Sequence, residues 1–202
     1  MSKEPCISIN LIAIGNTEVG KTAYLIRNTE NKFKLTLSTI GADMRNKLME
    51  LKNGKKVNVR FYDTSGQERY HSLAANFIRK ADGVVLMYDI TKRNTFDTIS
   101  KWYDDILEYK EKDFPIILVG NKCDLEDERE VRKEEGENFA KEYNIKFYET
   151  SNKDGINTEK SFRDLVNIVL RKMPNDITQI NTIQKSNLKV SKKNFKKRSS
   201  KC

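Results

Sequence analysis

Long apolar runs are missing from this sequence. No stretch approaches the ~18 consecutive apolar residues of a membrane-crossing helix, so no transmembrane span is expected. The opening residues, MSKEPCISIN, lack the apolar stretch of a secretory signal. Ser2 stands where N-myristoylation requires Gly, so that modification is not expected. Cysteine is scarce. Cys6, Cys123 and Cys202 are odd in number, far apart and in no metal-ligand pattern, which favours a reducing compartment over a disulfide framework. Histidine is scarcer still, and the lone His71 reads as a surface residue.

What is abundant is charge: 33% of the 202 residues are Asp, Glu, Lys or Arg, against 37% hydrophobic, for a net charge of +9. The length suits about one domain with a real core. The charge is unevenly placed. Residues 175–202 hold eight Lys/Arg and one acidic residue, leaving 30 basic and 28 acidic residues for 1–174. The expected division is therefore a nearly neutral folded body, 1–174, and a flexible polybasic tail, 175–202, rich in Asn, Lys, Ser and Thr. Such a tail suits an anionic membrane surface or nucleic acid.

Within the body, short β-rich runs alternate with helical patterns. ISINLIAIG, the two halves of LMELKNGKKVNVRFYD, DGVVLMYD, FPIILVGNKCD and IKFYETS make six strands, with a two-residue hairpin turn expected at Asn53-Gly54. Helices are expected at Lys21–Asn28, Leu73–Lys80, Thr95–Tyr109, Val131–Tyr143 and Asn157–Met173. The fold class that follows is α/β, a mostly parallel six-stranded sheet with one antiparallel strand, covered on both faces by about five helices.

Four motifs fall at the carboxyl ends of these strands, where open α/β sheets bind ligands. GNTEVGKT, Gly15 to Thr22, has phosphate-loop spacing between a strand and a helix. Its backbone N–H groups at Thr17, Glu18, Val19 and Gly20 would cradle phosphates, Lys21 would balance their charge, and the Thr22 hydroxyl would meet Mg²⁺. DTSGQE supplies Asp63, able to hold the metal through water, and Gly66, whose N–H can reach a terminal phosphate. NKCD places Asn121, Lys122 and Asp124 together. The Asp124 carboxylate can accept both the N1–H and the 2-amino donors of guanine, a pair adenine lacks, which argues for GTP over ATP. ETSNK brings Ser151, Asn152 and Lys153 over the base. Singly, each motif also fits an ordinary turn or cap; their joint order is what points to a nucleotide.

The chain resembles the Ras superfamily of small GTPases, and within it the Rab family, over Ile7 to Met173. STIGADM, Ser38 to Met44, looks like the Rab first switch, and ITKRNTFDTISKWYDDI is also Rab-like. The resemblance implies that Thr39 meets Mg²⁺ and the γ-phosphate, that Gln67 orients the attacking water, that Phe33 packs on the guanine edge, and that Lys122 stacks along the base. It further implies an exchange factor, a GTPase-activating protein, a GDP-dissociation inhibitor and GTP-state effectors. The implied protein is a monomer that cycles from the cytoplasm to the cytosolic face of intracellular membranes. No arginine is placed by motif to act on the γ-phosphate, so slow intrinsic turnover, raised by a partner's Arg, is expected. Tyr62, Met44, Ser65 and FIRKA, Phe77 to Ala81, depart from the family pattern. The first switch is one residue shorter than usual. The rival reading is a guanine-nucleotide-binding module that does not hydrolyse.

The tail ends KVSKKNFKKRSSKC. A prenyl group on Cys202 beside these cations would give the two signals stable anchoring needs. A terminal single Cys departs from the usual Rab pair, however, and forms no C-a-a-X box. A solvated tail is the alternative. Nucleic-acid binding is not expected, since no recognised module is present and only Phe195 interleaves the tail cations. Glu18, a carboxylate inside a phosphate loop, is expected to point to solvent and to speed nucleotide release.

Overall fold

The computed structural model describes residues 7–34, 42–51, 54–64 and 71–173. Cys6, Thr39, Asn53, Ser65, Gly66, Gln67, Cys202 and the polybasic tail lie outside the described residues.

The chain runs β1 (Ile7–Ile14), α1 (Lys21–Glu30), β2 (Ala42–Glu50), β3 (Lys56–Thr64), α2 (His71–Lys80), β4 (Gly83–Asp89), α3 (Arg93–Asp97), α4 (Ile99–Leu107), β5 (Ile116–Asn121), α5 (Lys133–Glu142), β6 (Lys146–Thr150) and α6 (Thr158–Lys172). The six strands form one sheet in the order β2-β3-β1-β4-β5-β6. Only the β2–β3 pair is antiparallel. The α/β class, the six strands and the antiparallel member agree with the sequence expectation.

Strand chemistry explains the order. GVVLMYD in β4 and IILVGN in β5 are buried at every residue, so neither can sit at an edge facing water. Their side chains alternate between two cores. Val85, Met87, Ile117 and Val119 join Leu11, Tyr24, Phe61 and Phe162 beneath α1 and α6. Val84, Leu86, Tyr88 and Leu118 join Ile12, Ile78, Trp102 and Tyr103 beneath α2, α4 and α5. Each fully buried Leu or Ile contributes roughly 1.5–3 kcal/mol, which makes the middle of the sheet a rigid base for the loops at its end. β2 is the opposite case. It pairs only with β3, and its outward Met44 and Leu48 are exposed. Its inward Arg45 pairs with Glu30, and Lys47 donates to the Asn28 carbonyl, so cations meet the carboxyl end of α1.

Two local expectations are corrected. The hairpin loop has three residues, not two. Glu50 faces Lys56, the Leu51 N–H donates to the Lys55 carbonyl at 2.9 Å, and Gly54 takes φ 76°. That is the bulged hairpin, in which Gly supplies the left-handed residue after the turn. The helix expected as one piece over Thr95–Tyr109 is assigned as α3 and α4, divided at Thr98 and begun two residues earlier. Thr98 keeps a right-handed backbone (φ −91°, ψ −3°) while its one hydroxyl proton is shared between the Thr95 carbonyl at 3.1 Å and the Asn16 side-chain oxygen at 3.0 Å. A side chain bonding back to its own turn loosens the backbone ladder there. Past the break, Ile99, Trp102, Tyr103 and Ile106 are buried, the one-faced spacing of an amphipathic helix.

Candidate functional site

The loop between β1 and α1 is shaped by its two glycines. Gly15 takes φ 142°, and a Cβ there would lie 2.1 Å from the Met87 carbonyl oxygen on β4. Gly20 takes φ 93° just before α1, and a Cβ there would lie 2.3 Å from Asn121 Nδ2. Both positions combine a left-handed backbone with a close neighbour, so only glycine fits. α1 starts without a side-chain cap and without an acidic residue in its first turn. The positive end of the helix dipole there favours an anion.

Lys21 is buried. Its ammonium donates to the Gly15 carbonyl at 2.9 Å and to the Asn16 carbonyl at 2.7 Å, so it spans the loop from within. Burial pulls its pKa down to about 8, while the nearby Asp63 charge pulls the other way. A phosphate in the loop would add a second anion and push the pKa back up. Beside it the Thr22 hydroxyl donates to Asp63 Oδ2 at 2.5 Å, bringing α1 and the end of β3 to one point. A hydroxyl and a carboxylate are hard oxygen donors of the kind Mg²⁺ takes. Among the described residues no group of three or more His, Cys, Asp or Glu is placed to hold a metal ion by itself. This donor set therefore fits a cation that takes its other oxygens from phosphate and water.

The far end of the cleft is built from β5, β6 and the turns after them. Asn121, at the end of β5, donates from Nδ2 to the Val19 carbonyl at 2.8 Å and accepts from Thr150 Oγ1 at 3.1 Å. Asn152 donates from Nδ2 to the Gly20 carbonyl at 3.0 Å. The two amides thus tie the phosphate loop to both strand ends, and both are nearly fully buried. Ser151 is buried, with its hydroxyl accepting the Asp154 N–H at 3.0 Å. Asp124 is half-buried and Lys153 exposed. Lys122 takes a left-handed φ of 69°, and its ammonium lies 2.6 Å from the buried Asp89 carboxylate, which also accepts from the Thr91 N–H and hydroxyl. Phe33, beyond α1, is 38% exposed.

The structure therefore brings together Thr17, Glu18, Val19, Gly20, Lys21, Thr22, Asp63, Asn121, Lys122, Asp124, Ser151, Asn152 and Lys153 along the carboxyl ends of β1, β3, β5 and β6. Four residues escaped the sequence reading. Asn16 Oδ1 accepts from Trp102 Nε1 at 2.6 Å and from Thr98 Oγ1 at 3.0 Å. The Glu18 carboxylate, expected simply to face solvent, is exposed but lies 2.7 Å from the Lys92 ammonium. That contact holds the Glu18 carboxyl below its usual range and lifts the Lys92 ammonium above its own. Only the uniqueness of Trp102 hinted at any of these, because pairs this distant leave no mark on one sequence.

The Ras family model matches residues 10–171. Ras-related protein Rab-10 of Diplobatis ommata is 46% identical over 81% of this chain and 82% of its own length. Ras-related protein Rab-12 of Homo sapiens is 42% identical over 84% and 70%. Ras-related protein Rab-15 of Rattus norvegicus is 38% identical over 95% and 90%.

Proposed function

This chain belongs to the Ras family as a small GTPase of Rab type, and on that premise we propose that its guanine nucleotide and Mg²⁺ are held by the cleft just described. It binds GTP and GDP, hydrolyses GTP, and acts in vesicular transport, as that family does. The N–H groups of Thr17, Glu18, Val19 and Gly20, with Lys21, receive the β- and γ-phosphates. Thr22 and Thr39 would ligate Mg²⁺, and Asp63 would hold it through water. When bound, the ion neutralises charge that develops between the β- and γ-phosphates. Asp124 accepts the two guanine donors, Asn121 holds the base loops to the phosphate loop, and Ser151, Asn152 and Lys153 close over the base with Phe33 and Lys122 at its edges. Gln67 orients the water for in-line attack, and loss of the γ-phosphate frees Thr39 and Gly66, so both switches relax.

The observation that carries this assignment is the convergence of Lys21, Thr22 and Asp63 at one end of the cleft with Asn121 tied to Val19 at the other. Residues 1–174 form the nucleotide-binding domain and 175–202 the tail, which reaches the membrane through its cations and a prenylated Cys202. Each cation near an anionic surface adds about 1 kcal/mol. Partners of the family's classes serve the cycle: exchange factor, activating protein, GDP-dissociation inhibitor and effectors. The effector face includes Met44 and the Tyr62–Phe77 ring pair, whose centroids lie 5.4 Å apart. Among the described residues no helix is long and apolar enough to cross a membrane.

Single-turnover GTP hydrolysis on purified protein tests the reading. Slow turnover, accelerated by an activating protein and abolished in Gln67→Leu, is expected. Normal stimulated hydrolysis in Gln67→Leu would remove Gln67 from its role. A protein that holds GTP without any turnover would be the binding module instead.

A further inference from the structure

Neither Glu18 nor Asn16 offers its side chain to the cleft, yet both reach out of the phosphate loop to one distant segment. Glu18 takes φ 64°, a left-handed backbone that an L side chain rarely adopts. Such a residue persists where its surroundings hold it. Its carboxylate meets Lys92, 74 positions away, at 2.7 Å. Lys92 itself stands on a fixed platform. Its N–H donates to the Asp89 carbonyl at 3.1 Å, and its carbonyl accepts the Thr95 N–H at 3.0 Å and the Thr95 hydroxyl at 2.7 Å. Two residues back along the loop, Asn16 Oδ1 is held by Trp102 Nε1 and Thr98 Oγ1, both on the same α3–α4 stretch. Trp102 is 6% exposed and packed in the core, so this anchor does not move with solvent.

We propose that Lys92 is a positioning residue that acts on the phosphate loop by cancelling the Glu18 charge, while Thr98 and Trp102 hold the loop at Asn16, so that the α3–α4 segment slows GDP release. This rests on the cleft being the guanine-nucleotide site. It also alters the expectation for Glu18. With Lys92 in place the carboxylate is neutralised, and acceleration of release appears only when Lys92 is removed. The pair then acts as a unit. Loss of the cation leaves an uncompensated anion beside the β-phosphate. Loss of the anion leaves a cation there, which attracts phosphate. Loss of both leaves neither.

The test is dissociation of a fluorescent GDP analogue from the full chain, measured at low salt for wild type, Lys92→Ala, Lys92→Arg, Glu18→Gln and the Glu18→Gln/Lys92→Ala double variant. Lys92→Ala should release GDP about two- to fivefold faster, the range for an exposed contact pair. Glu18→Gln should release GDP more slowly, because the Lys92 cation then faces phosphate unopposed. The double variant should return to near the wild-type rate, and Lys92→Arg should rescue. A merely structural Lys92 would give the same acceleration whether or not Glu18 is present, and that additivity would overturn the proposal, as would no change in Lys92→Ala. Asn16→Ala supplies the second reading. It should shift the emission of Trp102, the single tryptophan of the chain, and speed release as well; a shift in emission with unchanged release would remove the Asn16 anchor. Failure of the wild type to bind the analogue at all would instead sink the assignment of the site itself.

Discussion

The two ends of the cleft are built from different materials. At the base end Asn121, Thr150, Ser151 and Asn152 are buried to within 3% of complete, and the Asn121 and Asn152 amides donate to the Val19 and Gly20 carbonyls of the phosphate loop. At the outer phosphate end the loop is held by Glu18 and Lys92, whose side chains are 65% and 44% exposed. Buried neutral contacts resist salt and water, and they are costly to leave half-made. Exposed ion pairs are weak and screened. The contrast assigns selectivity and a salt-insensitive hold on the nucleotide to the first end, and a salt-sensitive hold to the second.

The largest expected effect lies where that contrast is sharpest. On the proposed role of Asp124 as acceptor of the two guanine donors, the preference for GDP over ADP should fall by about four orders of magnitude in Asp124→Ala in competition binding. A fall of tenfold or less would mean that Asp124 does not face the base. Next comes Gly15→Ala, which places a methyl 2.1 Å from the Met87 carbonyl oxygen on a strand that cannot yield. Strain on the order of 3 kcal/mol should lower the melting temperature by roughly 6–12 °C. An unchanged melting temperature would show that β4 can give way beneath the phosphate loop.

Much of this could be read from the residues alone. β4 and β5 declared themselves because an almost continuous apolar run must be covered on both sides. The phosphate loop did so because glycine, lysine and threonine at that spacing serve one chemistry. The hairpin was placed correctly but given the wrong loop, since Asn53-Gly54 suits a two-residue turn as well as the bulged one that the Glu50–Lys56 register selects. The α3–α4 helix read as unbroken because the apolar spacing of α4 continues back through Phe96, and the Thr98 hydroxyl bond to Thr95 leaves no trace in periodicity. The outer anchors were illegible for a different reason. Glu18 pairs with Lys92 and Asn16 with Trp102 only after the sheet has brought β1 beside β4, so no local rule connects them. Asn152 was assigned to the base, and only the fold reveals that its amide spends a hydrogen bond on Gly20.

That bond gives the matching perturbation at the buried end. Asn152→Ala removes the donor to the Gly20 carbonyl, and a hydrogen bond of this kind contributes about 1 kcal/mol. GDP release should quicken about fivefold, close to the change expected for Lys92→Ala, so the two ends can be compared at equal size. Release no faster than wild type would show that Asn121 alone holds the loop to the strand ends.

Salt then separates the two, and its effect is the smallest of the set. Raising NaCl from about 0.05 to about 0.5 M shortens the screening length from roughly 14 Å to roughly 4 Å. In the wild type the Glu18 and Lys92 charges are in contact and largely cancel, so GDP release should change less than about twofold. In Lys92→Ala the bare Glu18 carboxylate acts on phosphate across solvent, so its acceleration should shrink towards the wild-type rate at high salt. In Asn152→Ala the lost contact is neutral and buried, so its acceleration should persist undiminished. Equal shrinkage in both variants would mean that water and ions reach the base end as freely as the phosphate end, and the difference in construction would then carry no difference in energetics.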